Sequence, residues 1–121
     1  MVEYIPESLN LVFFALSDPT RRAILARVSG GEVTITALAT PFAMSLAAVS
    51  KHVRVLERAG LVNRTKQGRE HRLRFVAGPL RDAVDWVEQY RQFWTDHLDR
   101  IKEKAERTAR DRAPRENPPT E

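Results

Sequence analysis

A mainly α-helical domain carrying one small β-hairpin is the fold class this sequence predicts, on three observations. Apolar residues recur at three- and four-residue spacing in several separate runs, the mark of helices with one buried face. Two short segments of alternating polarity, Leu61–Lys66 and His71–Val76, flank Gly68-Arg69 and predict the hairpin. The third observation is where the charge lies. From Ser45 to Arg74 there are 8 Lys/Arg against 2 Asp/Glu, while residues 1–44 carry 3 against 4 and residues 75–121 carry 9 against 10. The chain's net charge of +4 therefore comes entirely from the middle segment, and a clustered basic face is the footprint of a polyanion partner.

Leu9, Val12, Phe13 and Leu16 place a first amphipathic helix over residues 7–16. Asp18 then caps a second helix with Pro19 as its first residue, where a missing N–H costs nothing. That helix runs through Ile24, Leu25 and Val28 and stops at Gly30-Gly31. Val33-Thr34-Ile35 is β-like, and Thr36 is the expected cap of a short third helix through Leu38 and Ala39, ending near Pro41-Phe42. Ser45 caps the fourth helix, over residues 45–59, and Gly60 supplies the left-handed residue after its last turn. After the hairpin, Gly78-Pro79 opens one long helix, expected from Pro79 to Arg107, with Leu80, Val84, Val87, Trp94, Leu98 and Ile101 along its apolar stripe.

A chain of 121 residues makes one domain with a tail. The domain is expected over residues 1–107, and residues 108–121, charged and Pro-rich, are expected to be disordered. The absence of cysteine excludes disulfides, thiolate metal sites and thiol nucleophiles. No signal peptide is evident and the longest apolar run near the start is too short for a bilayer, so a cytoplasmic protein with no membrane partner is expected. No Gly-rich phosphate loop or recognisable triad motif occurs, so neither an enzyme nor a cofactor is expected.

The third and fourth helices are separated by only a few residues around Ala43-Met44, the spacing of a helix-turn-helix, in which the second helix enters the major groove of DNA. Val49, Val53 and Leu56, with Met44, define its inward face. Ser45, Leu46, Ala48, Lys51, His52, Arg54 and Val55 are left on or beside the outward face. Small residues at its start admit close approach, and Ser50 and Lys51 can donate to phosphates or base acceptors. The hairpin, about residues 61–76, adds Arg64, Lys66, Arg69, Arg72 and Arg74 around one glycine-containing turn, the form of a wing that touches the DNA backbone or minor groove. Arg69 is the expected tip. Edge strands are often charged to block aggregation, but five cations beside the single anion Glu70 exceed that need.

The segment Leu16-Ser17-Asp18-Pro19-Thr20-Arg21-Arg22-Ala23-Ile24-Leu25 resembles the opening signature of the ArsR/SmtB winged helix-turn-helix regulators. So does Val49-Ser50-Lys51-His52-Val53-Arg54-Val55-Leu56-Glu57-Arg58-Ala59-Gly60-Leu61-Val62, followed by Arg64 and Gly68-Arg69. The resemblance implies a homodimeric repressor with its first and last helices at the dimer interface. Leu9, Val12, Phe13, Trp86, Tyr90, Phe93, Trp94, Leu98 and Ile101 are the residues placed there. Two recognition helices related by a twofold axis would lie one DNA turn apart, about 34 Å, on an inverted-repeat operator. Relatives often carry Gln and Thr where this chain has Leu46 and Ala48, so direct hydrogen-bond readout should be sparse and shape and phosphate contacts should weigh more.

Many relatives release DNA on binding metal, through thiolates or through a last-helix site of Asp-x-His and His-x-x-Glu. With His97 as the second histidine, the other three ligand positions fall on Val84, Trp86 and Arg100, so the resemblance implies a metal-independent branch. A different site built from His97 with Asp96 and Asp99 is the minor alternative. The Trp86, Tyr90, Phe93 and Trp94 cluster reads first as dimer core and second as a pocket for a hydrophobic inducer, whose existence the sequence leaves open. The rival reading of the whole chain is a dimeric protein-interaction module of the same fold that binds DNA only weakly and without sequence preference.

Overall fold

The computed structural model of the chain describes residues 7–112. Its elements run α1 (Glu7–Leu16), α2 (Pro19–Ser29), β1 (Val33–Thr34), α3 (Ile35–Ala39), a 3-10 turn (Thr40–Phe42), α4 (Leu46–Arg58), β2 (Val62–Gln67), β3 (Glu70–Phe75), α5 (Gly78–Glu88) and α6 (Arg91–Arg112). The chain forms two compact units that divide between Asp85 and Trp86, inside α5. Residues 113–121, most of the expected tail, lie outside the described residues; residues 108–112, also assigned to it, continue α6.

In the first unit, α1, α2 and α3 pack against α4, with the sheet closing the core beside α2 and α4. Ile24, Val28, Leu38, Val49, Val53, Leu56, Leu61 and Leu73 are essentially fully buried, each contributing roughly 1.5–3 kcal/mol by leaving water. Val49, Val53 and Leu56 thus form the inward face of α4 that the 3–4 spacing predicts. The sheet has three strands in the order β1-β3-β2, all antiparallel, with Val33 opposite Leu73 and Arg64 opposite Leu73 from the other side. Leu73 is buried while its neighbours Arg72 and Arg74 are exposed, as the alternation requires.

Local chemistry explains the junctions. Asp18 caps α2 by accepting from the Arg21 backbone N–H at 3.0 Å, with Pro19 next to it. That same N–H is the main reason the Asp18 carboxyl sits below the ordinary carboxylate range; partial desolvation opposes it, and the charges of His52 and Arg21 add to the lowering. Arg21 is the one charged residue buried in the described core. Its guanidinium lies over the Phe14 ring and donates to the carbonyls of Ala15 at 2.8 Å and Phe14 at 2.9 Å, while Arg22 donates to the Leu16 carbonyl at 2.8 Å. Two cations therefore satisfy the carbonyls that the end of α1 leaves without helical partners, at the negative end of its dipole. Arg21→Met, which keeps the apolar stem, should lower unfolding free energy by about 2 kcal/mol, and Arg21→Lys should recover only part of it. A urea midpoint unchanged in Arg21→Met would show that the capping contributes nothing.

Three expectations change on the structure. The cap of α3 is Thr34, whose hydroxyl accepts from the Ala37 N–H, and not Thr36; the strand ends one residue before the helix begins, so the capping position moves upstream. The single helix expected from Pro79 to Arg107 is two, α5 and α6, separated by Gln89-Tyr90. At the break the Tyr90 N–H bonds three residues back to Val87 at 3.0 Å, a tight turn made without glycine or proline, which is why the apolar spacing runs straight through it. Leu9 and Val12, expected at a dimer interface, are 6% and 1% exposed and already spent on the core; the apolar surface that α1 offers is Phe14, at 59%, beside half-buried Phe13.

Candidate nucleic-acid interface

Ala43, in the left-handed region at φ 51°, turns the chain sharply between the 3-10 turn and α4. Ser45 then caps α4, its hydroxyl accepting from the Ala48 N–H at 3.1 Å. With Val49, Val53 and Leu56 turned inward, the opposite face carries Lys51 and Arg54, both exposed. The same line continues through Ala47 and Arg58, which are also exposed and which the sequence reading left out of the site. Spacing of four, three and four residues puts Ala47, Lys51, Arg54 and Arg58 in one row. A helical wheel anchored on the three buried positions, rather than on the family's reading positions, would have found both. Ser45 and Leu46 are exposed at the start of the helix, and Ala48, Ser50 and His52 are half-buried along its flanks.

His52 faces back into the protomer. Its Nδ1 lies 3.9 Å from the Asp18 carboxylate, which ties the flank of α4 to the start of α2 and leaves the ring 23% exposed. Among the described residues, Lys51, Arg54, Arg58, Lys66, Arg69 and Arg74 have no carboxylate within ion-pair distance. Gly68 takes φ 61° at the turn between β2 and β3, which puts Arg69 at the tip of the hairpin as expected.

Two arginines of the expected DNA-contacting set are otherwise engaged. The Arg64 guanidinium, half-buried, donates twice to Glu57 of α4, from Nε at 3.0 Å and Nη2 at 2.6 Å, so it faces α4 and not outward. Arg72 is exposed, but its guanidinium lies between Glu70 at 3.3 Å and Glu32 at 3.8 Å, so these two carboxylates already compete for it. The unpaired cations of the hairpin are thus Lys66, Arg69 and Arg74.

In the second unit, Phe93, Trp94, Leu98 and Ile101 are each more than half exposed along α6. Trp86 and Tyr90 meet ring to ring at 5.2 Å, and the His97 ring lies parallel to that of Phe93 at 6.2 Å. Among the described residues, no three His, Asp or Glu side chains are grouped so that they could hold a metal ion, and no helix is long and apolar enough to cross a membrane.

The helix-turn-helix domain family matches residues 16–65. The chain is 33% identical to the transcriptional repressor SdpR of Bacillus subtilis over 79 residues, covering 65% of this chain and 88% of that protein. Among solved structures it is similar to an ArsR family transcriptional regulator at 40% identity and TM-score 0.70, covering 78% of this chain and 97% of the other. It is also similar to a homodimeric winged helix-turn-helix DNA-binding domain from Mycobacterium bovis, at 26% identity and TM-score 0.56, covering 78% of this chain and 84% of that one.

Proposed function

Because the chain belongs to the ArsR family of winged helix-turn-helix transcriptional regulators, we propose that it is a homodimeric repressor that occludes a promoter by binding an inverted-repeat operator. The observation that carries this reading is the unpaired basic row of Lys51, Arg54 and Arg58 on the outer face of α4, with Ala47 keeping the start of that row low enough for close approach. In this reading α4 lies in the major groove, and Arg69, with Lys66 and Arg74, reaches the backbone beside it. Phosphate contacts supply affinity; the pairing of two recognition helices supplies register. Ser45 and Leu46 at the exposed start of α4 are the residues best placed to meet base edges, and Leu46 can only contact apolar groups such as thymine methyls. The homodimer of the M. bovis domain and the exposed aromatic face of α6 support the same assembly here.

Mobility shifts on DNA from the protein's own promoter, against scrambled competitor, test the reading directly. Retention that scrambled DNA competes away equally well would favour an interaction module. Arg69→Ala should weaken binding to every sequence alike and reduce the slope of log affinity against log salt by about 0.9 per subunit, about 1.8 for the dimer. An unchanged slope would remove the wing tip from the interface.

A further inference from the structure

We propose that Glu57 and Arg64 form a strut that sets the angle of the wing on the recognition helix, so that Arg64 positions Arg69 rather than touching DNA itself. This rests on the DNA-binding reading above.

Glu57 lies in the last turn of α4, where the negative end of the helix dipole disfavours a carboxylate. What offsets that placement is Arg64 of β2, whose Nε and Nη2 converge on the single oxygen Oε1 at 3.0 and 2.6 Å. The side chains are 21% and 30% exposed, so water screens the pair only in part. Among the described residues it is the one side-chain hydrogen-bonded link between α4 and β2.

The connection it spans is Ala59-Gly60-Leu61, with Gly60 at φ 76°. Backbone bonds from Gly60 to Glu57 at 2.9 Å, from Leu61 to Leu56 at 3.0 Å and from Val76 to Leu61 at 2.8 Å fix the path of that connection and the base of the hairpin, but none lies farther toward its tip. The sheet order then shows how the hairpin is braced. On one edge, β1 pairs with β3 through Val33–Leu73 and Thr34–Arg72; on the other edge, β2 has no further strand, and past its buried base at Leu61 and Val62 Arg64 is its hydrogen-bonded side-chain tie to the helix among the described residues.

Leverage makes this tie matter. Arg69 lies at the turn just beyond Gln67, about 12 Å from Arg64 along the hairpin. A swing of about 10° at the base would then move the tip by about 2 Å, several times the few tenths of an ångström over which a charge-assisted hydrogen bond holds its strength. A loosening too small to unfold the hairpin would take Arg69 off its phosphate.

A double-mutant cycle between Glu57 and Arg69, which do not touch, tests this by DNA affinity measured over a range of salt. Deleting an anion from a DNA-facing surface should by charge alone tighten binding. The strut requires the opposite: Glu57→Ala should weaken binding about tenfold per subunit, the worth of one charge-assisted hydrogen bond, and lower the salt slope by about 0.9 per subunit, about 1.8 for the dimer. Glu57→Ala combined with Arg69→Ala should be no worse than Arg69→Ala alone. The charge-reversed pair, Glu57→Arg with Arg64→Glu, should restore most of the loss, which a general loss of folding would not permit.

Additive effects of the two alanine substitutions would overturn the strut alone, since the tip would then be held without it. Unchanged or tighter binding by Glu57→Ala, together with a loss in Arg64→Ala, would also overturn it, with Arg64 itself on the phosphate. A wild-type protein in which Arg69→Ala changes nothing would remove both the strut and the wing contact it serves.

Discussion

Ala48→Glu should abolish operator binding while leaving the protein as stable as before, or more so. The position makes the separation clean. Ala48 is the third residue of α4, and its N–H already donates to the Ser45 hydroxyl at 3.1 Å. A glutamate there can reach back to the Ser45 N–H and complete a capping box, and its charge suits the positive end of the helix dipole. The expected effect on folding is a gain of about 0.5 kcal/mol. In the proposed complex the same carboxylate would stand at the start of α4, beside phosphates that the helix approaches closely. Like-charge juxtaposition at an interface costs several kcal/mol, and in a twofold assembly it is met twice, so affinity should fall by at least about a hundredfold. Thermal unfolding and a mobility shift on the same preparation check both halves. A shift as strong as that of the unmodified protein would take the start of α4 out of the groove.

The second large effect is expected at Trp94, 59% exposed on the protomer. Phe93, Trp94, Leu98 and Ile101 form an exposed apolar stripe along α6. A stable interface needs about 800 Å² from each partner, and large aromatic side chains are its usual anchors. Trp94→Asp should leave the isolated protomer folded, because the side chain it replaces is outside the core. Across a twofold axis it puts two unpaired charges into the contact, at about 3 kcal/mol or more each. Sedimentation at micromolar concentration should then show monomers, and operator affinity should collapse, since a single recognition helix forfeits the second half-site. A dimer that survives Trp94→Asp would move the interface off this face of α6.

Much of the fold is legible in short stretches of sequence because the forces that specify it are local. Asp18 and Pro19 start α2, Ser45 starts α4, Gly60 ends it with a positive φ, and Gly68 turns the hairpin; each acts within a turn of its own position. Burial of Val49, Val53, Leu56 and Leu73 follows from period alone. Errors of reading arise where two local signals compete. Thr34 and Thr36 both precede the same short helix, and only the extent of β1 chooses between them. The break at Gln89-Tyr90 has no glycine or proline to announce it.

The residues expected to contact DNA show the same division more sharply. Five cations around the hairpin look equivalent in sequence, yet one is tied to α4, one is shared between two carboxylates, and three have no ion-pair partner among the described residues. His52 belongs by spacing to the reading face, but Asp18, thirty-four residues earlier, draws its ring back. Arg58 and Ala47 are exposed, and Arg58 has no ion-pair partner among the described residues, but their place in the row depends on which face of α4 is buried.

Order along the chain therefore determined this protein's helices, their caps, the alternating hairpin and the concentration of positive charge in one segment, all consequences of neighbours within about one helical turn. Which cations remain unpaired among the described residues, how the hairpin is tied to α4 and which side of α1 stays exposed were decided only when distant segments packed together. An ion pair or a buried contact is a property of two positions in space, and spacing along the chain does not encode which carboxylate a guanidinium will meet.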